Sequence, residues 1–507
     1  MIVPFRSPRL RSVNRPLLLS LTGAGLFLAS LDAYVVVTAL IPMLKSVNIA
    51  VNRPEQATPI ITGFLLGYLA VMPIAGGLSD RFGRLRLFAV SLGVFAFGSF
   101  LTATAPSLSQ LVTGRVLQGA GGGALVPAVL ALAADLYPAG DRSPVLGAIS
   151  ALQEIGSVLG PLWGGLVTAS SFGWTWIFWI NIPFAAFLLW ALWPEMRAGA
   201  EPGRPAALDW LGTLLATAGL VLLTLALYST NPEQRPVGDG FVWQLPLAIV
   251  CFGLFVWHER RTRNPLINVR RFADSAFTGS VLTNAIAGAG LMVALIYVPL
   301  LANAVFEMNA SSAALLLLRL MVGIPIGALL GGFLAERLRS YRLVAALGLL
   351  LAAAGFLMLS GWDENSLKPH LFGPLSRADG ELLLAGLGLG LEIAPVSAAL
   401  LDAVSEMERG AGASFLIMMR LVGMLVGFSL VAGFSLWEFH RATAHLIPPL
   451  PGLNPNFATQ YAIYVLKVRA AIFDQYHLVF RAAAATLFVG ALVAALTLRP
   501  LARPRWR

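Results

Sequence analysis

Gly76-Gly77-Leu78-Ser79-Asp80-Arg81-Phe82-Gly83-Arg84-Leu85-Arg86 closes one long apolar run of the chain and opens the next. Small Gly76 lets helices approach closely. Asp80 suits the positive N-terminus of a facing helix, and Gly410, near the start of a later apolar run, marks the helix expected to face it. Arg81 and Arg84 can hold counter-charges there. Gly76, Asp80, Arg81, Gly83 and Arg84 therefore read as a close, charge-held corner between helices. The stretch returns in weaker form as Gly332-Phe333-Leu334-Ala335-Glu336-Arg337, with Gly, Leu, an acid and Arg in register. Such internal duplication is how many transporters build two rocking halves.

Working outward, the whole chain has the composition this reading needs. It is 57% hydrophobic and 12% charged, with a mean hydropathy of +0.78, where a soluble domain carries about 25% charged residues. A helix needs about 20 apolar residues to cross the hydrocarbon core. Such runs fall at 16–44, 57–79, 87–106, 110–137, 144–169, 173–193, 209–228, 241–258, 275–306, 312–335, 342–360, 380–405, 411–437 and 477–498. Fourteen spans predict an all-α membrane protein. It divides into a six-helix half over 1–193, an inserted helix pair with linkers over 194–273, and a second six-helix half over 274–507 that carries an extension at 438–476. The first run is too long for a signal peptide and reads as helix 1.

Charge sets the orientation. Arginines cluster at both ends of the chain and in the even loops: Arg81, Arg84 and Arg86; Arg260, Arg261, Arg263, Arg270 and Arg271; Arg337, Arg339 and Arg342. Both termini are expected in the cytoplasm. The net charge of +10 is thus a topology signal and does not point to nucleic acid. Cys251 is the sole cysteine, so no disulfide or cysteine-built metal site is expected. The five histidines form no intramembrane cluster. No metal-ligand spacing and no Walker loop is visible, so ATP hydrolysis is not expected.

Four segments resemble the major facilitator superfamily. The first is the stretch 76–86, which looks like the signature between helices 2 and 3, and the resemblance makes Gly76, Asp80, Arg81, Gly83 and Arg84 a cytoplasmic gate. On helix 4, Arg115-Val116-Leu117-Gln118-Gly119-Ala120-Gly121 resembles the family's arginine motif. On helix 5, Gly156-Ser157-Val158-Leu159-Gly160-Pro161-Leu162-Trp163-Gly164-Gly165 resembles the antiporter motif of its exporters. The glycines there permit tight packing and Pro161 bends the helix. Trp174-Thr175-Trp176-Ile177-Phe178-Trp179-Ile180-Asn181-Ile182-Pro183 opens helix 6 as in the fourteen-helix drug/proton antiporters, with Thr175 in place of a usual arginine. Helix 1 reads Leu31-Asp32-Ala33-Tyr34-Val35-Val36-Val37-Thr38. The drug antiporters carry other polar residues at the positions of Tyr34 and Val37. This variant is similar to bacterial triacylglyceride exporters that work with a periplasmic lipoprotein, relatives that also extend their last two helices outside the membrane. Here 438–476 is either an ordinary long loop or a proline-rich turn, Ile447-Pro448-Pro449-Leu450-Pro451, followed by a helix that runs from about Ala458 into the last span. If 458–498 is one helix, it is about 60 Å long.

Charges inside the bilayer are costly and usually functional or paired. Asp32, Glu154 and Arg420 fall near mid-depth by residue count; Arg115, Arg319 and Glu392 are further cases. In the resembling lipid exporters, acids on helices 1 and 5 and an arginine on the penultimate helix couple transport to protons. By position these are Asp32, Glu154 and Arg420, with Arg115 a further member of the ion-pair set and Asp32–Arg420 the expected pair. Arg319, near the outer end of its helix, can snorkel. Glu392 faces either a close helix contact or the cavity, in which Tyr34 is the other candidate. The resemblance implies a monomeric, proton-driven exporter of lipid or another amphiphile in the bacterial inner membrane. It implies no cofactor and no enzymatic activity. A multidrug/proton antiporter and an uncoupled lipid flippase are the alternatives.

Overall fold

The computed structural model describes residues 14–47, 58–138, 141–198, 209–227, 237–262, 268–308, 310–363, 376–444 and 456–498, with 265, 266, 366, 367, 446 and 449. Helices account for almost all of them, because lipid offers backbone N–H and C=O groups no partners. In chain order they are α1 (Arg15–Ser46), α2 (Thr58–Phe82), α3 (Arg84–Ala103), α4 (Leu108–Leu136), α5 (Arg142–Ala169), α6 (Trp176–Trp179), α7 (Asn181–Ala198) and α8 (Trp210–Leu227). There follow α9 (Phe241–Glu259), α10 (Ser275–Ala304), α11 (Ala310–Arg337), α12 (Tyr341–Leu359), α13 (Arg377–Leu391), α14 (Ile393–Ala403), α15 (Arg409–Thr443) and α16 (Phe457–Thr497). The pairs α6–α7 and α13–α14 each make one interrupted span. Fourteen segments of the described chain are thus long and apolar enough to cross a bilayer.

The described helices gather into two compact units. The first takes 1–222, 246–278 and 397–418, the second 223–245, 279–396 and 419–507. In the first, α2 and α3 both pack on α4, and α1 packs on α5. In the second, α11 and α12 both pack on α13, and α12 packs on α16. The sequence repeat therefore reappears in one pairing, α2 and α3 on α4 in the first unit and α11 and α12 on α13 in the second. Glycine explains the closest of these pairs. A Cβ on Gly119 would strike the Phe64 carbonyl of α2, and one on Gly386 the Leu320 carbonyl of α11.

The segment 438–476 is not an ordinary loop. Its first residues continue α15 and its last twenty open α16, which has no Gly or Pro before Gly490 to interrupt it. At 41 residues α16 spans about 60 Å, against roughly 30 Å of hydrocarbon. The proline-rich positions 447, 448, 450 and 451 lie outside the described residues, and so do the side chains of Tyr34 and Val37.

Candidate functional site

Two polar constellations interrupt the apolar interior of the first unit. The deeper one surrounds Asp32. Arg115 of α4 donates from Nη1 to Asp32 Oδ2 at 2.6 Å, and each side chain is only 1% exposed. Gln118, one turn further along α4, donates to the same oxygen at 3.1 Å. Asn181, the first residue of α7, donates to Asp32 Oδ1 at 3.0 Å. Ser99 of α3 closes the network by accepting from Gln118 at 2.9 Å and Asn181 at 3.1 Å. The Arg115 guanidinium also lies over the Phe64 ring, 4.4 Å from its centroid, a favourable stacking for a desolvated cation.

Within the first unit, the side chain that meets Asp32 is Arg115 of α4, one of the ion-pair residues that the sequence singles out. The physical reason is local. The glycine-lined approach of α4 to α2 brings the Arg115 stem inward, and the break at Ile180 aims Asn181 at the same carboxylate. Arg420 sits half-buried on α15 in the second unit, where its carbonyl packs on Gly288 of α10. Glu154 is half-buried on α5. Gly156 carries the tight α1–α5 approach, with a Cβ there standing 2.7 Å from the Phe27 carbonyl, whereas Gly165 faces open space. Glu392 is fully buried at the α13–α14 break. Its backbone N lies in the close α12 contact, 3.0 Å from a Cβ on Gly348. Arg319 pairs with Asp379 at 2.8 Å, so it does more than snorkel.

The second constellation is built on the stretch 76–86. The Asp80 carboxylate accepts from the backbone N–H groups of Gly410 and Ala411 at 3.0 Å each, capping the first turn of α15. The approach requires Gly76, where a Cβ would stand 2.7 Å from Ala411 Cα. Gly83, at φ 96°, makes the sharp turn between α2 and α3. Arg84, 4% exposed, ties the corner together. It donates to Asp80, to Asp135 at the end of α4 (3.1 Å), to Ser79 (3.1 Å) and to the Glu406 carbonyl (3.5 Å). Arg81, expected to share this work, makes no ion pair among the described residues and lies over the Phe82 ring.

Two further ion pairs join the corner: Arg409 to Asp135 at 2.7 Å, and Arg142 to Asp402. The sequence reading misses all four residues, although a signal for them exists. Asp135 precedes Arg142 by the spacing at which Asp402 precedes Arg409, once in each half. The repeated Asp–Arg pairs then cross, each arginine binding the acid of the other.

The family model described as the Major Facilitator Superfamily matches residues 22–428. A triacylglyceride transporter of Mycolicibacterium smegmatis is 37% identical over 95% of this chain and 87% of its own length. One from Mycobacteroides abscessus is 40% identical over 86% of each chain, and one from Mycobacterium tuberculosis 36% identical over 89% of each. Among solved structures, the human organic anion transporter MFSD10 aligns with a TM-score of 0.59 at 16% identity, covering 94% of this chain and 100% of that one. The proton:xylose symporter XylE aligns at 0.58 with 14% identity, covering 94% of each. Those two show the shared fold alone.

Proposed function

The chain belongs to the major facilitator superfamily, a multi-pass protein of the bacterial inner membrane, and we propose that it exports triacylglyceride-like lipid by alternating access driven by proton entry. The observation that carries the coupling is Asp32. Its carboxylate accepts hydrogen bonds from three side chains, Arg115, Gln118 and Asn181, the first of them a buried guanidinium 2.6 Å away. In this reading Arg115 and a proton compete for the Asp32 carboxylate, the proton taking the place that the guanidinium leaves. Exchange of Arg115 for a proton is then tied to the change of state. Glu154 and Arg420 are the remaining members of the coupling set.

The arginine bias puts the α2–α3 corner on the cytoplasmic side. Asp80, Arg84, Arg142 and Arg409 tie α2, α3, α4 and α5 to the corner at 402–411, and alternating access would require these contacts to break in one of its states. Lipid as cargo is supported by the names of the relatives and by the height of α15 and α16. On the part of α16 that stands clear of the bilayer, Tyr461, Ile463, Val465 and Leu466 are 43–65% exposed. Apolar side chains so placed suit lipid passing to a soluble carrier, for which a periplasmic lipoprotein is the partner. The antiporter-like motif on α5 favours a second reading, a multidrug/proton antiporter.

Purified protein in proteoliposomes tests this. Labelled triacylglyceride should move across the bilayer only under an imposed proton gradient. Equal movement without the gradient would leave an uncoupled flippase, and movement of cationic drugs alone would leave the antiporter.

A further inference from the structure

The corner at 403–411 is held by arginines from α3, α5 and α15 itself, and also by one from outside that set. Arg271 lies in a 3₁₀ turn, Val269–Ala273, through which the inserted pair α8–α9 leads into α10. Its Nη2 donates to Glu408 Oε2 at 2.6 Å and its Nη1 to the Ala403 carbonyl at 3.3 Å. The carboxylate cannot swing away, because the Ser405 backbone N–H and hydroxyl both donate to it, at 3.2 and 2.8 Å. Beside the pair, Phe272 meets Phe277 and Phe415 edge to face, at 5.4 and 5.8 Å, while Phe277 and Phe415 stack at 6.1 Å. A charged clasp and an aromatic joint thus fix the exit of the inserted pair to the first turns of α15.

The pair itself is docked on the gate's own helix. Thr217 of α8 donates to the Ala70 carbonyl of α2 at 3.1 Å, on the helix whose far end carries Asp80. The inserted segment therefore grips α2 at one point and the α14–α15 corner at another.

We infer that Arg271 and Glu408 form a second cytoplasmic latch, which makes the inserted helix pair a working part of the gate. Arg271 is a positioning residue: it touches no substrate and acts by holding the corner that Asp80 caps. This inference rests on the alternating-access reading above. When the corner leaves α2 and α3, the clasp must either break or carry the inserted pair with it, and in both cases its strength enters the equilibrium between states. The pair is about one-third exposed on each side, so the shift from losing it is modest, on the order of two- to fivefold in population.

The experiment uses full-length protein in nanodiscs, with Cys251→Ala and spin labels on cysteines replacing exposed Arg86 and Leu338. Pulsed distance measurement reads the two states. Arg271→Ala and Glu408→Gln should each deplete the state with the latch closed by several-fold, and Arg271→Glu with Glu408→Arg should restore it. Asp80→Asn is the control for the gate. A shift with Asp80→Asn and none with either latch variant overturns the inference and leaves the gate standing. A shift that the charge swap does not restore also overturns it, since the pair would then not be what holds. No shift with any variant removes the alternating-access reading, and the inference with it.

Discussion

Asp32 is the residue on which the proposed coupling turns, and its surroundings fix what a substitution will do. Asparagine keeps the shape of the carboxylate and removes the titratable proton. It also leaves the Arg115 guanidinium, 1% exposed, without its counter-charge. Removing one partner of a buried pair costs about 3–5 kcal/mol. Asp32→Asn is therefore expected to abolish proton-driven export and to lower thermal stability markedly, while Asp32→Asn with Arg115→Gln should recover much of the stability and none of the transport. Melting curves in detergent and gradient-driven uptake check both halves; gradient-driven transport by Asp32→Asn at the wild-type rate would remove Asp32 from the coupling. Glu408 gives the pH counterpart outside the membrane. Burial pushes its carboxyl up, but hydrogen bonds from Ser405 and Arg271, with the Arg271 charge, outweigh that and hold it below the ordinary glutamate value. A depressed folded value means that the stabilisation is complete above the unfolded glutamate range, about 4.3–4.5, and is lost as pH falls through the folded value. The difference in melting temperature between wild type and Glu408→Gln should therefore be constant from neutral pH to about pH 5 and shrink only below that. A difference that fades between pH 7 and 5 would show the carboxyl raised, not lowered.

At the scale of elements, the spans were legible because lipid demands long apolar helices, and that demand is written in composition. The length of α16 was legible for a related reason: no helix breaker occurs from Phe457 until Gly490. The partner of Asp32 was not. Residue count gives depth but not the face of the helix or the rotation of its neighbour, and those follow from the glycine contacts of α4. Asn181 was hidden among the aromatic residues of its motif. Asp135, Arg142, Asp402 and Arg409 were hidden at span ends, where charge is expected anyway. The base of α16 is a further device that only the fold reveals. Trp362, 1% exposed, donates from Nε1 to Glu381 at 2.7 Å, and the ring of His477 on α16 donates to the Trp362 carbonyl at 2.9 Å. Arg469 of α16 donates to the Val305 carbonyl at 3.0 Å. Trp362→Phe leaves one Glu381 oxygen without its donor, a loss of about 1–3 kcal/mol. Hydrogen exchange should then quicken over Phe457–Tyr476 and stay unchanged over Val479–Thr497; uniform exchange along α16 would show that the clasp does not hold its base.

For the whole molecule, the open question is what the height of α15 and α16 is for. A polar solute needs a path across the bilayer and no more, so a transporter of small cations gains nothing from helices that rise beyond it. A lipid leaves the transporter still insoluble, and a sheltered apolar surface above the membrane lowers the cost of its exit, at about 25 cal/mol for each Å² of apolar area kept from water. If the first turns of α16 rise out of the bilayer as proposed, the exposed Tyr461, Ile463, Val465 and Leu466 supply such a surface. Replacing the segment between Glu438 and Tyr476 with a tight turn should therefore abolish delivery of triacylglyceride to an acceptor lipoprotein while sparing any efflux of cationic drugs. Correct insertion is verified by retained melting of the remaining spans and by an unaltered Asp80 gate in distance measurements. A milder variant, Ile463→Ser with Leu466→Ser, keeps the helix and removes only apolar surface, and it should slow lipid delivery without touching drug efflux. If the shortened, folded protein delivers lipid at the rate of the wild type, the tall helices are not the exit path. If drug efflux falls in step with lipid delivery, the extension serves the fold and not the cargo.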